Sequence, residues 1–243
     1  MTSKNWTLIP LFVLCVHLQA QLAQAAVSLA DLIATNGSLM VGGSLLFDQF
    51  SYSKTGLAPS ASSVNVVTLA DAGASRYGLR FVGGFQDAPG DGYSSFIVGY
   101  RVTAQGNTQV IPAAHLAGNP SLFGNDASGW ISISKSFAGM PEKVLNIYDI
   151  SPNKTKLVDS AELPLQLPSL NVQVDGVLNA NTGGASLSLV DSTFQTTTAA
   201  VPEPSSVLVW ALTMLMGGAL VVSHRRDAAW SRLLTNFGQR FRG

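Results

Sequence analysis

The sequence predicts an all-β fold, an antiparallel β-sandwich of the jelly-roll-like or Ig-like kind, framed by an N-terminal signal peptide and one C-terminal transmembrane helix. Three observations carry this expectation. Short segments rich in β-branched and aromatic side chains recur between clusters of Gly, Pro, Ser and Asp, with turn signals about every 8 to 15 residues. No amphipathic helix of crossover length separates them, which argues against a parallel α/β sheet. Two apolar runs stand apart from this texture, one at each end of the 243 residues.

Residues 1–26 carry the three parts of a secretory signal: Lys4 as a positive start, an apolar stretch over 6–18, and the small-x-small site Ala23-Gln24-Ala25. The stretch is short of the ~20 residues a span needs and contains Pro10 and His17, so cleavage at Ala25 or Ala26 is favoured over retention. Within 28–36, Leu29, Leu32 and Ile33 stand at helical spacing before Asn36-Gly37, a helix stop. Nine strands then follow, over 45–52, 64–69, 78–85, 96–104, 130–137, 144–150, 156–161, 170–174 and 185–190. In 130–137, Trp130, Ser132, Ser134 and Ser136 oppose Ile131 and Ile133, with Phe137 taken as a bulge or the strand's end. Pro152 and Asn153 are set for a hairpin turn. The sandwich domain is drawn over 27–192, and the Thr/Ala-rich residues 193–201 as a linker.

The second apolar run, 207–222, covers about 24 Å as a helix and approaches the ~30 Å hydrocarbon core once its flanking serines are included, giving a span over about 205–223. Arg225 and Arg226 place its far end in the cytoplasm. Beyond them Trp230, Leu233, Leu234, Phe237 and Phe241 form an apolar stripe among arginines, the pattern of a basic amphipathic tail over 227–243. In front of the run stands Val201-Pro202-Glu203-Pro204-Ser205-Ser206, whose prolines keep the chain extended at the membrane face.

This ordered set of motif, apolar helix and Arg cluster over 202–226 resembles the PEP-CTERM sorting domain of bacterial exosortase substrates. The resemblance implies that Pro202, Glu203 and Pro204 are recognised by an exosortase-like processing enzyme in the membrane. It also implies that Arg225 and Arg226 act as the stop and that the helix is removed as the protein passes to the cell surface or extracellular matrix. The tail beyond Arg226 is longer than the family's usual ending.

The body itself says less about chemistry. Residues 27–201 contain eight Lys or Arg and twelve Asp or Glu, a net charge of −4 that disfavours nucleic acid as a partner. The sole cysteine, Cys15, lies in the signal, so the body has no thiol for a disulfide, a metal site or a nucleophile. His115, its sole histidine, falls in a loop-like Pro112-Ala113-Ala114-His115 context without a serine elbow or a second zinc ligand. Asp87 and Asp91, on a Gly/Pro turn, are weak calcium candidates, since Asp and Gly also fill such turns for conformational reasons. Asp159 and Glu162 are the acid pair available to a glycosidase. No cofactor is expected. The main expectation is a non-enzymatic exported surface or matrix protein. One alternative is a carbohydrate-binding or carbohydrate-cleaving module, with Trp130, Tyr93 and Tyr100 stacking on extracellular polysaccharide if they form one exposed row. The other is a permanently anchored single-span protein.

Overall fold

The computed structural model describes residues 26–106, 109–198 and 213–214. It begins with β1 (Val27–Ser28) and helix α1 (Leu29–Ala34), whose first turn is capped by Ser28 Oγ accepting from Ala30 N–H at 3.2 Å. The helix stops where the sequence expects, with Asn36 at φ +49°. Strands follow in the order β2 (Leu39–Val41), β3 (Leu45–Thr55), β4 (Asn65–Asp71), β5 (Arg76–Asp87), β6 (Ser94–Ala104), β7 (Gln109–Gly118), β8 (Ser121–Phe137), β9 (Leu145–Ile150), β10 (Lys154–Lys156), β11 (Val158–Leu167) and β12 (Ser169–Thr198). All pairings are antiparallel.

The 30-residue β12 organises the body. Its first part lies between β6 and β8, and its last part between β5 and β7. One layer therefore runs β2-β3-β6-β12-β8-β9-β10, and the other β1-β4-β5-β12-β7-β11. The corner between them carries register shifts around residues 180–189 and Gly183 at φ +73°. At the level of class this is the antiparallel sandwich expected from the sequence.

Alternation along β12 turns Leu170, Val172, Val174 and Leu178 inward from one layer and Val190, Ser192 and Phe194 inward from the other. Between the layers Phe47, Phe50 and Phe81 pack around Tyr100 at centroid distances of 5.9 to 6.1 Å, and Phe85 stacks on Phe96 at 4.2 Å. At the corner, buried Asp87 accepts from Ser94 Oγ at 2.7 Å and from Ala180 N–H at 2.8 Å, fastening the end of β5 to β6 and β12.

Three sequence expectations are corrected here. The segments 170–174 and 185–190 belong to one strand, because the chain bends at the corner without leaving the sheet. The linker beginning at 193 is strand through Thr198, with Phe194 fully buried, so the sandwich extends past 192. Phe137 is the strand's end, as one expectation had it, but neither a bulge nor a break in phase: Ile131, Ile133, Lys135 and Phe137 all point inward, and the residue foreign to the core is Lys135. The Pro152–Asn153 turn does join β9 to β10, with Asn153 at φ +61°.

Of the expected C-terminal span, Thr213 and Met214 are helical. The rest of 205–223 lies outside the described residues, as do Ala25, Pro202, Glu203, Pro204, Arg225, Arg226 and the tail over 227–243. Among the described residues no helix is long and apolar enough to cross a membrane.

Candidate functional site

The same alternation that fills the core sets an aromatic and polar row on the outside of the β6-β12-β8-β9 layer. Trp130 opposes Asn179 on one side and Ile150 on the other. Because Ser94 opposes Leu178, the preceding Tyr93 comes beside Asn179, whose Nδ2 donates to the Gly92 carbonyl at 3.4 Å. Tyr93 and Trp130 are 59% and 38% exposed. Trp130 lies one strand spacing from Asn179, about 5 Å by sheet geometry, and Tyr93 follows Gly92, whose carbonyl accepts from Asn179, on the other side. Gly129 makes this row possible: a Cβ there would overlap the Asn179 carbonyl, so only glycine lets β8 run this close to β12 before Trp130.

The neighbouring outward rows are polar. Val177 lies between Ser95 and Ser132, with Tyr148 beyond; Asp175 lies between Ile97 and Ser134, with Asn146 beyond. Gln173 Nε2 donates to both oxygens of Asp175, at 2.9 and 3.1 Å. Asp48 is held by Arg101 through bonds of 2.9 and 2.7 Å. Hydroxyls, amides and two exposed aromatic rings thus share one face, which suits a ligand with apolar ring faces and hydroxyl edges.

Several candidates resolve differently. Tyr100 is not part of the exposed row; it lies in the aromatic core at 3% exposure, bonded to Ser192, and burial raises its phenol pKa. Asp87 is no free calcium ligand, since both its oxygens already accept from Ser94 and Ala180, while Asp91 is exposed on the turn between Gly90 and Gly92. Among the described residues no group of three or more His, Cys, Asp or Glu is arranged to hold a metal ion. Asp159 and Glu162 do not converge, being three residues apart on an extended strand and so on opposite faces. Burial raises the Asp159 carboxyl, but the Asn146 N–H, the Lys156 ammonium and the Ser160 N–H outweigh it and hold it below the usual range.

His115 sits in the middle of β7, not in a loop. Pro112 is accommodated there at register shifts on both sides of the strand, with Ile111 opposite Leu167 before it and Ala113 opposite Glu162 and Gln195 after it. His115 opposes Thr193 and Ser160 on the outside of the other layer, where it lines a groove of about 590 Å³ with Arg76, Asp71 and Asp191. Burial, Arg76 and Lys135 all lower its pKa and favour the neutral imidazole. Beneath that strand the Lys135 Nζ crosses the core, donating to the carbonyls of His115 and Thr193 at 3.1 and 3.2 Å and lying 3.7 Å from the Phe194 ring centroid. Asn179, Arg76 and Lys135 escaped notice in the sequence; only Lys135 carried a signal, as a charge in phase with Ile131 and Ile133.

No protein-family model matches the chain, and no curated protein does. Solved structures that match include a carbohydrate-binding module, TmCBM61, in complex with β-1,4-galactotriose. It is 12% identical, with 62% of this chain and 88% of that one covered and a TM-score of 0.27. Another is endoglucanase 3 of Trichoderma harzianum, from family GH12, at 10% identity, covering 62% and 98% of the two chains with a TM-score of 0.16.

Proposed function

We propose that the body is a non-enzymatic carbohydrate-binding module that engages polysaccharide across the β6-β12-β8-β9 face. On this proposal residues 1–26 export the chain, and the PEP motif, helix and arginines over 202–226 present it to an exosortase-like enzyme for delivery to the cell surface or matrix. The observation that carries the binding role is the row of Tyr93, Asn179 and Trp130, two exposed aromatic rings flanking an amide at one end of the sheet face. The Trp130 ring, carried on β8, loses little entropy on stacking against a pyranose, Tyr93 adds a second ring from the residue just before β6, and the serines and amides around them supply hydrogen bonds to hydroxyls. Cleavage is disfavoured because a glycosidase needs two carboxylates across the scissile bond, and on this face Asp48 is committed to Arg101 and Asp175 to Gln173.

Affinity electrophoresis of the full chain through gels containing neutral β-linked polysaccharides tests this. Retardation by at least one polysaccharide is expected, with Trp130→Ala weakening it about tenfold or more, the loss of roughly 1.4 kcal/mol of stacking, and Tyr93→Ala weakening it less. Equal retardation of wild type and Trp130→Ala, with both folded, would overturn the assignment to this face.

A further inference from the structure

The groove on the opposite layer presents a different chemistry. Its floor is the register row Leu69, Gly78, Thr193, His115 and Ser160, running across β4, β5, β12, β7 and β11. Gly78 keeps that floor low, since a Cβ there would collide with Thr193. Two of the residues that line it, Arg76 and His115, each bury a polar atom with no hydrogen-bond partner, Nε and Nε2 respectively. A buried polar atom of this kind is costly to leave unpaired unless something occupies it.

The carboxylates around the groove do not satisfy them. Asp191 is taken by a bidentate bond from Arg80 at 2.7 and 2.8 Å, and Asp159 by Lys156 at 2.9 Å together with the Asn146 and Ser160 amides. Asp71 faces Arg76 across the β4-β5 pair, yet its Oδ1 accepts from Ala74 N–H in the turn and it forms no ion pair with Arg76. Arg76 is therefore a cation without a carboxylate partner among the described residues, beside an imidazole that can donate from Nε2.

We propose that this groove binds a monoanionic sugar acid of the glycuronate class. Its carboxylate accepts from Arg76 Nε and His115 Nε2, and its hydroxyls meet Ser160, Thr193 and Asp71. With Asp191 and Asp159 paired to Arg80 and Lys156, the Arg76 guanidinium is the cation of the groove without an ion pair, and Asp71, bonded to the Ala74 N–H, stands across from it; a single carboxylate meets that one cation, whereas a dianion such as phosphate adds a second negative charge beside Asp71 that nothing in the groove offsets. A volume of about 590 Å³ and the apolar walls of Leu69, Ala117 and Val158 suit a ligand of sugar size. The site lies on the other layer from Trp130, so it stands or falls independently of the aromatic face.

Isothermal titration calorimetry of the full chain with sodium glucuronate, sodium galacturonate, glucose, galactose and inorganic phosphate tests it. The expected result is saturable binding of at least one uronate, at least tenfold tighter than the matching neutral sugar and than phosphate. Arg76→Gln and His115→Phe should each weaken it tenfold or more, and Trp130→Ala should leave it unchanged. Should either groove variant fail to fold, the uronate preference of the wild-type protein decides alone. Absence of uronate binding, equal binding of uronate and neutral sugar, or tighter binding of phosphate would each overturn the proposal.

Discussion

Lys135 departs furthest from the ordinary behaviour of its residue type. It is fully buried, and desolvation pushes its ammonium well below the usual lysine range, while two carbonyls and the Phe194 face offset part of that cost. In the unfolded chain the same amine is charged up to about pH 10.5. The unfolded state therefore binds more protons between the lowered folded pKa and 10.5, and stability rises with pH across that window by up to ~1.4 kcal/mol per unit. Above pH 10 the opposite sign enters, because burial raises Tyr52 to about 12 and Tyr100 further, so folding then opposes their ionisation. Thermal melts of wild type between pH 7 and 9.5 should show a midpoint that climbs. Lys135→Met fills a similar volume without a charge to bury, and should show a flatter profile and a midpoint at pH 7 at least as high as wild type. A parallel pH dependence in both proteins would locate the titrating group elsewhere.

At the scale of elements, β12 holds the sandwich together, since its two parts are the central strand of each layer. Its last six residues, composed like a linker, pair with both β5 and β7 and bury Phe194 against Phe47 at 6.1 Å. Ending the chain after Thr198 should leave a folded body, whereas ending it after Ser192 removes a central-strand segment and a buried Phe worth about 3–5 kcal/mol by itself, and should abolish cooperative unfolding. Circular dichroism melts of the two truncations separate strand from linker.

The sequence showed most strands because alternation and turn residues report local sheet geometry, as in Ser169–Thr198 and around Pro152–Asn153. It hid β7, whose Val110-Ile111-Pro112-Ala113-Ala114 carries no clean alternation and a proline that only the bulge explains. It hid the unity of β12 because Gly183-Gly184 has the composition of a turn while serving as a corner. Of the aromatic row it showed Trp130 and Tyr93, but inclusion of Tyr100 needed knowledge of which face points inward. Asn179 and Arg76 gain their roles from strands far apart in sequence, and no local pattern encodes that pairing.

For the molecule as a whole, the two faces proposed to bind ligands point outward from opposite layers, and both would contact an extracellular polysaccharide only if the body leaves the cytoplasm. Export is argued from the ends: an apolar stretch before Ala23-Gln24-Ala25, and the PEP motif, apolar run and Arg225-Arg226 after the body. Whether the body stays at the membrane turns on the C-terminal signal alone. If the C-terminal signal is processed, the helix and the basic tail are transient and the body diffuses or binds through its own faces. If it is retained, the body stays tethered, and even a weak glycan contact is strengthened by the effective concentration that a membrane anchor imposes. Intact-mass spectrometry of the protein recovered from the outer surface or matrix of its native host distinguishes the two. The proposed sorting requires a chain beginning near Ala26 and ending near Pro204. A chain running through to Gly243 would replace transient sorting with permanent anchoring, and would assign the arginine-rich amphipathic tail to the inner leaflet for the life of the protein.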